Sequence, residues 1–363
     1  MSWHRIDFKH EYYRPDKDNV ELVVEFLSQF DLIYEDDIEE TVVIKDRGKI
    51  VATASYSKNV IKCIAVAPAF QGQGLLNILI TEVKKKITAR GRDIIFVYVS
   101  EREKDKFSNL GFKEIAGLSP YPVLMEDAVE GIVSFSRNLK ENIGEKLEQR
   151  FEEYDLDEWQ VAGLVVNCNP ITRGHLHLMK KAAFESDLVV IFVVSEDKSL
   201  FPSEIRYDLV KKATKELENV IVVKGGEYII SHATFPTYFI GDDRPDEKNR
   251  LYAELDAKIF ARYIAGKLKI NKRYVGKEPY SPMTAAYNRA LRKYLPVHGI
   301  ELIEIERKEY NGRPISASRV REFLKDKKWD KIKPLVPQVT YDFLRSSAAK
   351  PIIEEAKTSN SRH

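Results

Sequence analysis

The sequence predicts an α/β protein in which an N-terminal α+β domain precedes a Rossmann-like domain with a parallel sheet. Three observations support this: the length of 363 residues, short β-rich runs around one amphipathic helix early on, and alternating strands and helices later. Alternation of this kind is typical of parallel sheets with helices on both faces. We expect domains over 1–135 and 158–347, a helical connector over 136–157 and a flexible tail over 348–363.

Composition and charge restrict the class of protein. The chain is 44% hydrophobic, and its 58 Lys and Arg against 56 Asp and Glu give a net charge of +2, so we expect no nucleic-acid partner. The longest apolar runs, such as 188–194, are far shorter than the roughly 20 residues of a membrane helix, which predicts no membrane partner. The two cysteines lie in apolar runs and no secretory signal is visible, which favours a cytoplasmic location.

The first part contains one phosphate-binding pattern. Its β-rich runs cover 41–45, 49–56, 60–67 and 93–99, and its amphipathic helix covers 75–87. The segment VAPAFQGQGL joins a strand to this helix and includes Gln71, Gly72, Gln73 and Gly74. Successive backbone N–H groups in such a loop can hold a pyrophosphate.

The second part begins with a strand over 160–166, which the sequence NCNPITRGH joins to a helix over 174–183. Further strands over 188–194 and 220–223 flank a helix over 204–217. Ligands of such sheets collect at the carboxyl ends of the strands. The pattern therefore predicts that the NCNPITRGH loop lies at a ligand site.

Four residues of this loop and the helix after it have suitable chemistry. His175 is expected in the first helical turn, where free N–H groups and the helix dipole favour an anion and an imidazole can donate to a phosphate oxygen. Gly174 permits close approach of the backbone. Asn167 and Asn169, at the end of the strand, are expected to face a reacting phosphate or a small acid. A strand-loop-helix glycine with a lone histidine can equally serve packing alone.

A second anion site is predicted at ISASRVR, residues 315–321. Ser316 or Ser318 can cap the helix that follows, and Arg321 lies one turn along, so hydroxyl, N–H and guanidinium donors converge. Arg319 is expected to point outward, although the two arginines could exchange roles. Two helix N-termini directed at one crevice suit a triphosphate.

These motifs resemble those of the nucleotidylyltransferase superfamily: TRGH, which includes Thr172, corresponds to its [H/T]-x-G-H element, and ISASRVR to its ISxSxxR element. Further blocks resemble the citrate lyase ligase family, namely NCNPITRGHLHLMKKA, VSEDKSLFPSEIRYDLVKKAT, GGEYIISHATFPTYFIGDD and GKEPYSPMTAAYN. Thr172 replaces the first histidine of many superfamily members. That replacement favours the citrate lyase ligases over more distant relatives.

The resemblance implies a reaction in two steps. Acetate and ATP give acetyl-adenylate and pyrophosphate, and the acetyl group then passes to the thiol of a CoA-like prosthetic group on the acyl carrier subunit of citrate lyase. His175, Ser316, Ser318 and Arg321 are implied as the catalytic residues. Mg²⁺ is expected with ATP and held by phosphate oxygens and water, so no protein metal site is predicted. The implied ATP-binding residues are Asn167, Asn169, Thr172, Gly174, His175, Lys198, Arg206, Ser316, Ser318 and Arg319.

The first domain resembles GNAT-type acetyltransferases. Gln71, Gly72, Gln73 and Gly74 fit the family's acyl-CoA loop Q-x-x-G-x-[G/A], and FSNLGF at 107–112 resembles a later turn of that fold. Leu76 departs from the small residue that is usual there. The resemblance implies a place for the CoA-like arm of the carrier.

Three other functions remain open at this point. A nucleotidylyltransferase acting on a phosphate ester shares both phosphate motifs. A GNAT-type N-acetyltransferase would consume acetyl-CoA, and a binding protein would take up nucleotide without turnover. Turnover of ATP that depends on acetate separates the ligase from all three.

Overall fold

The structure is a computed structural model that describes residues 9–14, 17–118, 122–195, 199–229, 245–277 and 282–358. The chain divides into two compact units. Unit 1 contains Met1–Ser134 and Pro236–Leu251, and unit 2 contains Phe135–Phe235 and Tyr252–His363. Each unit is described by itself.

Unit 1 contains a seven-stranded sheet in the order β1-β2-β3-β4-β5-β7-β6. All neighbouring strands are antiparallel except β4 and β5. Helix α2 packs against β3 with its apolar face buried, as its 3.6-residue periodicity predicts. The strands are β1 Lys9–Tyr13, β2 Glu40–Asp46, β3 Lys49–Ser57, β4 Val60–Val66, β5 Ile94–Val99, β6 Lys113–Gly117 and β7 Val123–Ala128, and the helices are α1 Lys17–Ser28, α2 Leu75–Thr88 and α3 Lys104–Ser108.

Strands β4 and β5 separate along their length. Their parallel pairing covers only Val60 with Phe96 and Ile61 with Val97, which are the first two residues of β4 and the middle two of β5. Beyond these residues the two strands make no further ladder pairs within the described part of the sheet. The separation opens a cleft at the start of α2.

Unit 2 contains a five-stranded parallel sheet in the order β10-β9-β8-β11-β12. Its strands are β8 Val161–Val166, β9 Leu188–Val193, β10 Val220–Lys224, β11 Ile270–Gly276 and β12 Glu301–Ile305. A two-residue hairpin pairs β13 Glu309–Tyr310 with β14 Arg313–Pro314. The strand order reverses between β8 and β11, and ligands bind at such a switch point in open α/β sheets.

Helices cover both faces of this sheet. Helices α5 and α6 contribute to one apolar cluster, and α4, α7 and α9 contribute to the cluster on the opposite face. Continuous apolar strands such as β9, buried at every residue, are the pattern expected of a sheet covered on both sides. The helices are α4 Ile132–Glu148, α5 Arg173–Phe184, α6 Ser203–Ala213, α7 Pro245–Ile259, α8 Gly266–Leu268, α9 Pro282–Tyr294, α10 Ala317–Lys325, α11 Trp329–Ile332, α12 Gln338–Arg345 and α13 Lys350–Thr358, with a π-helical turn Phe260–Ala265 between α7 and α8. The first residues of α4 and α7 belong to unit 1 and the remainder of both helices to unit 2.

Two segments pack more closely than the sequence suggested. The expected connector over 136–157 lies largely in α4, whose Leu139, Ile143 and Leu147 are buried in the core of unit 2. The expected flexible tail over 348–363 contains α13, which buries Ile352 and Ile353. Both segments are rich in charge, and the few apolar residues at helical spacing are sufficient to anchor them. No helix in the described ranges is long and apolar enough to cross a membrane.

Candidate active site

The candidate residues of unit 2 lie where its parallel strands end. The segment 167–172 follows β8, Phe201 lies between β9 and α6, and the segment 306–316 follows β12. Because carboxyl ends of parallel strands share one edge of a sheet, these segments lie at the same edge. The predicted NCNPITRGH and ISASRVR elements are therefore brought to one side of the sheet.

His175 is held in a defined orientation by Thr172. Thr172 is the N-cap of α5: its Oγ1 accepts from the His175 backbone N–H at 3.3 Å, and its own N–H donates to His175 Nδ1 at 3.1 Å. An Nδ1 atom that accepts from a backbone N–H carries no proton, so the neutral imidazole has its proton on Nε2. The Thr172 hydroxyl lies 3.1 Å from the same Nδ1. This capping arrangement leaves Nε2–H as the donor that can meet a ligand.

The imidazole of His175 is neutral at physiological pH. Burial lowers its pKa to about 4, and the positive charge of Arg307 acts in the same direction. A neutral imidazole donates one hydrogen bond without adding a charge. The chemistry available from His175 is therefore hydrogen bonding, not proton donation from an imidazolium.

Two contacts join the predicted phosphate-binding elements. A Cβ atom on Gly174 would lie 3.2 Å from the backbone oxygen of Ile315, so the first turn of α5 approaches the ISASRVR element closely at a residue without a side chain. Arg321 NH1 donates to the backbone oxygen of Asn169 at 2.7 Å. The N-termini of α5 and α10 consequently lie side by side.

The serines and arginines of ISASRVR have different positions. Ser316 is the N-cap of α10 and accepts from Arg319 N–H at 3.3 Å, whereas Ser318 is exposed in the first turn. Arg319 NH1 donates to Pro314 O at 2.8 Å, away from the loop after β8. Arg321 reaches that loop, and burial lowers its pKa without removing its charge. Arg321 thus contacts the loop after β8, whereas Arg319 contacts the segment that precedes α10, and the role of each toward a ligand stays a prediction.

Arg206 lies beneath the site instead of on its surface. It is 0% exposed, and its guanidinium donates to Phe201 O at 2.8 Å, Val194 O at 2.7 Å and Asn167 Oδ1 at 2.7 Å. Asn169, 4% exposed, accepts from the Phe201 N–H at 3.0 Å through Oδ1. The expected direct contact of Arg206 with ATP does not fit this burial. Arg206 is instead a positioning residue that fixes the loops after β8 and β9.

Asn167 remains at the surface of these loops. It is exposed, and its Nδ2 donates to Ser199 Oγ at 3.1 Å while Arg206 holds its Oδ1. Of the other predicted residues, Lys198 lies outside the described residues, as does most of the GGEYIISHATFPTYFIGDD block. Contact of Lys198 with ATP stays a prediction.

A pocket of about 510 Å³ lies at the ends of β11 and β12 and contains functional candidates that the sequence did not indicate. Arg307 is the first of these: its Nε donates to Lys277 O at 2.9 Å, and its charge acts on His175. Asn288 fixes the end of β11 by donating to Gly276 O at 3.1 Å. No motif marks these residues, because the folding of β11 and β12 beside β8 is what brings them together. The charged residues that line the pocket are Lys277, Arg289, Arg292, Glu304, Glu306, Arg307 and Glu309.

Unit 1 contains its own pocket, of about 620 Å³, in the cleft between β4 and β5. Gln71, Gly72 and Gly74 line it, together with apolar residues of both strands. Gly72 and Gly74 have φ angles of +77° and +81°, which L-residues rarely adopt, and the space where a Cβ would project is open at both. The side chains of Gln71 and Gln73 donate to backbone oxygens of this loop, at 3.3 and 3.1 Å. The backbone of this loop is therefore open to the pocket at both glycines, and binding of a phosphate there stays a prediction.

Comparison with known proteins gives two family matches and several relatives. Residues 161–344 match the citrate lyase ligase C-terminal domain, and residues 3–108 match the acetyltransferase (GNAT) family. The chain is 35% identical over 331 residues to the [citrate [pro-3S]-lyase] ligase of Escherichia coli (strain K12), covering 89% of this chain and 90% of the relative. It is 33% identical over 337 residues to the ligase of that name from Klebsiella pneumoniae, covering 92% and 94%.

A shorter match concerns a different enzyme. The chain is 41% identical over 54 residues to the phosphopantetheine adenylyltransferase of Clostridium beijerinckii (strain ATCC 51743 / NCIMB 8052), which covers 14% of this chain and 34% of the relative.

The family matches and the parallel sheet of unit 2 define an enzyme with an acetyltransferase (GNAT) family domain followed by a citrate lyase ligase C-terminal domain. The length and identity of the matches then give the family. This chain belongs to the [citrate (pro-3S)-lyase] ligases, and the fold class and family predicted from its sequence are confirmed.

Proposed function

We propose that this ligase uses ATP to acetylate the thiol of the CoA-like prosthetic group on the acyl carrier subunit of citrate lyase, through acetyl-adenylate. The observation that carries the proposal is the contact of Gly174 with Ile315, which sets the N-termini of α5 and α10 side by side. Two helix N-termini with adjacent imidazole and guanidinium donors form a site for an extended polyanion.

In the first step an acetate oxygen attacks the α-phosphorus of ATP, the bond between the α-phosphorus and the bridging oxygen breaks, and pyrophosphate leaves. Negative charge develops on the α-phosphate and the leaving group, so the enzyme must supply preorganised donors and no protein nucleophile. His175 Nε2–H, the N–H groups of both helices and Arg321 are those donors. These groups suit anions and not a cation, so Mg²⁺ would reach the site on phosphate oxygens and neutralise their charge.

In the second step the thiolate of the prosthetic group attacks the acetyl carbonyl, the bond to AMP breaks, and a thioester forms. We assign the pocket of unit 1 to the pantetheine and pyrophosphate portion of this CoA-like arm. Support comes from the cleft between β4 and β5, its apolar lining, and the loop with Gly72 and Gly74. An extended apolar cleft that ends at a phosphate-binding loop matches the chemistry of such an arm.

The first half-reaction can be measured without the carrier. We expect exchange of pyrophosphate into ATP that depends on acetate and falls by about 100- to 1000-fold in His175→Ala, because one preorganised donor is lost. His177→Ala is the matched control, because His177 is exposed on the same helix. Exchange that is independent of acetate, or equal in both variants, would contradict the proposal.

Transfer to a phosphate ester is the second candidate, and the local match to phosphopantetheine adenylyltransferases supports it. The same assay separates the two candidates when 4′-phosphopantetheine replaces acetate. A dinucleotide-like product formed from this ester and ATP would favour the adenylyltransferase, and its absence together with acetate-dependent exchange would favour the ligase.

A further inference from the structure

A set of exposed lysines follows α10, the helix that Ser316 caps. The segment 325–333, KDKKWDKIK, contains five lysines and two aspartates and thus carries a charge of +3, against +2 for the entire chain. The segment is therefore more positive than the chain as a whole, whose other residues sum to a charge of −1. Lys327, Lys328, Lys331 and Lys333 are exposed, and we refer to these four as the lysine cluster.

The lysine cluster lies on a part of the chain that is anchored to the core of unit 2. Ile332, between Lys331 and Lys333, and Leu335, two residues after the cluster, are fully buried in the core around α10 and α13. The Lys331 ammonium lies 5.6 Å from the centre of the Phe323 ring, and the Lys333 ammonium lies 5.8 Å from that of Tyr341. Side chains that rest on fixed aromatic rings lose less freedom when a partner binds.

The lysine cluster lies beside the candidate active site. Helix α10 starts next to Ser316 and its nine residues span about 13 Å before the lysines begin. The chain then turns back, and Val336 O accepts from Arg173 Nε at 3.0 Å. Arg173 is the first residue of α5, the helix that carries His175. Both ends of the lysine segment are thus connected to the two helices of the phosphate site.

We propose that the lysine cluster docks an acidic surface of the acyl carrier subunit while its prosthetic arm is acetylated. This inference rests on the proposed function, since transfer requires the carrier to be held near the adenylate. Opposite charges on two surfaces accelerate their association and fix the orientation of the complex. Asp326 and Asp330 interrupt the cluster, and the near-neutral chain provides no long basic track for a phosphate backbone, which favours a protein over RNA.

The test compares two triple variants of the full chain. Lys327→Glu/Lys331→Glu/Lys333→Glu reverses the cluster, and Lys180→Glu/Lys215→Glu/Lys267→Glu makes the same charge change at exposed lysines elsewhere in unit 2. For the cluster variant we expect the KM for the holo-carrier to rise by about tenfold or more and to lose most of its salt dependence, because steering by opposite charges is lost. Acetate-dependent pyrophosphate exchange should stay at the wild-type rate in both variants.

Three outcomes overturn the inference. Equal KM values for the carrier in both triple variants mean that the cluster does not dock it. Binding of a transfer RNA probe that disappears in the cluster variant while the KM for the carrier is unchanged assigns the cluster to nucleic acid. Loss of pyrophosphate exchange in the cluster variant means that adenylation and not docking is affected. Lys→Gln changes at the same three positions then show whether the reversed charge or the loss of the lysines causes this defect. Wild-type protein without acetate-dependent exchange contradicts the proposed function itself.

Discussion

At the scale of single residues, the environment of His175 determines how the protein responds to pH. The folded protein takes up a proton on His175 only near pH 4, whereas an unfolded chain does so near pH 6.5. The unfolded state therefore binds more protons between these values, and the free energy of unfolding decreases as the pH falls through this window. The contribution of neutral His175 is complete above pH 6.5 and is lost toward pH 4.

This gives a prediction for His175→Gln. As the pH falls below 6.5, the free energy of unfolding of the wild type, measured in urea, should decrease more steeply than that of the variant, by about 1 kcal/mol per pH unit. His177→Gln, which removes an exposed histidine from the same helix, should follow the wild type. If wild type and His175→Gln give parallel stability curves, His175 is not buried in its neutral form.

Gly174 gives a second prediction at this scale. In Gly174→Ala the new Cβ meets the Ile315 backbone at 3.2 Å, so the two helix N-termini must move apart by a few tenths of an ångström. We expect the rate of pyrophosphate exchange to fall about tenfold or more, since misplaced donors stabilise the transition state less well. Gly266→Ala is the control, because a Cβ there would lie 3.9 Å from Ala261 O, which is an ordinary van der Waals contact. Equal rates in both variants would show that the contact has no role in the reaction.

At the scale of secondary-structure elements, the two serines at the N-terminus of α10 are expected to have different roles, Ser316 in capping the helix and Ser318 in contacting a ligand. Ser316 caps the helix, so Ser316→Ala should cost about 1 kcal/mol in the free energy of unfolding in addition to any loss of activity. Ser318 is exposed, and Ser318→Ala should slow pyrophosphate exchange with little change in stability. Urea unfolding and exchange rates measured on both variants distinguish the two roles. Destabilisation by Ser318→Ala of the size seen for Ser316→Ala would reverse the assignment.

Elements with local signals could be predicted from the sequence, and elements defined by long-range packing could not. Strands β3 and β9 and helices α2 and α5 lie within a few residues of their predicted bounds, because apolar periodicity and caps are local. The TRGH and ISASRVR elements were found by motif, but their contact at Gly174 depends on the sheet order, and Arg307 enters the site only because β12 follows β11 in space. Arg206 is the clearest example of what the sequence does not reveal. Its motif suggested contact with ATP, and only its complete burial in the structure indicates a positioning role.

At the scale of the whole molecule, the proposed function divides the reaction between the units: adenylation in unit 2 and reception of the prosthetic arm in unit 1. Substitutions in the loop of unit 1 should therefore affect only the second step. Gly72→Leu/Gly74→Leu places side chains in the open cleft at φ angles of +77° and +81°. Such a variant should retain acetate-dependent pyrophosphate exchange and acetylate the carrier about tenfold or more slowly, since the blocked loop no longer receives the phosphates.

The backbone strain introduced by these leucines needs its own control, which the chain provides at Gly48. Gly48 has a φ angle of +83°, lies in the turn between β2 and β3, and has open space at its Cβ position. Gly48→Leu therefore introduces a comparable strain in unit 1 without touching the pocket, and its carrier acetylation should match the wild type. Slow transfer in both variants would trace the defect to instability of unit 1. Normal transfer by the Gly72→Leu/Gly74→Leu variant would exclude the pocket as the receptor of the arm and leave both steps to unit 2.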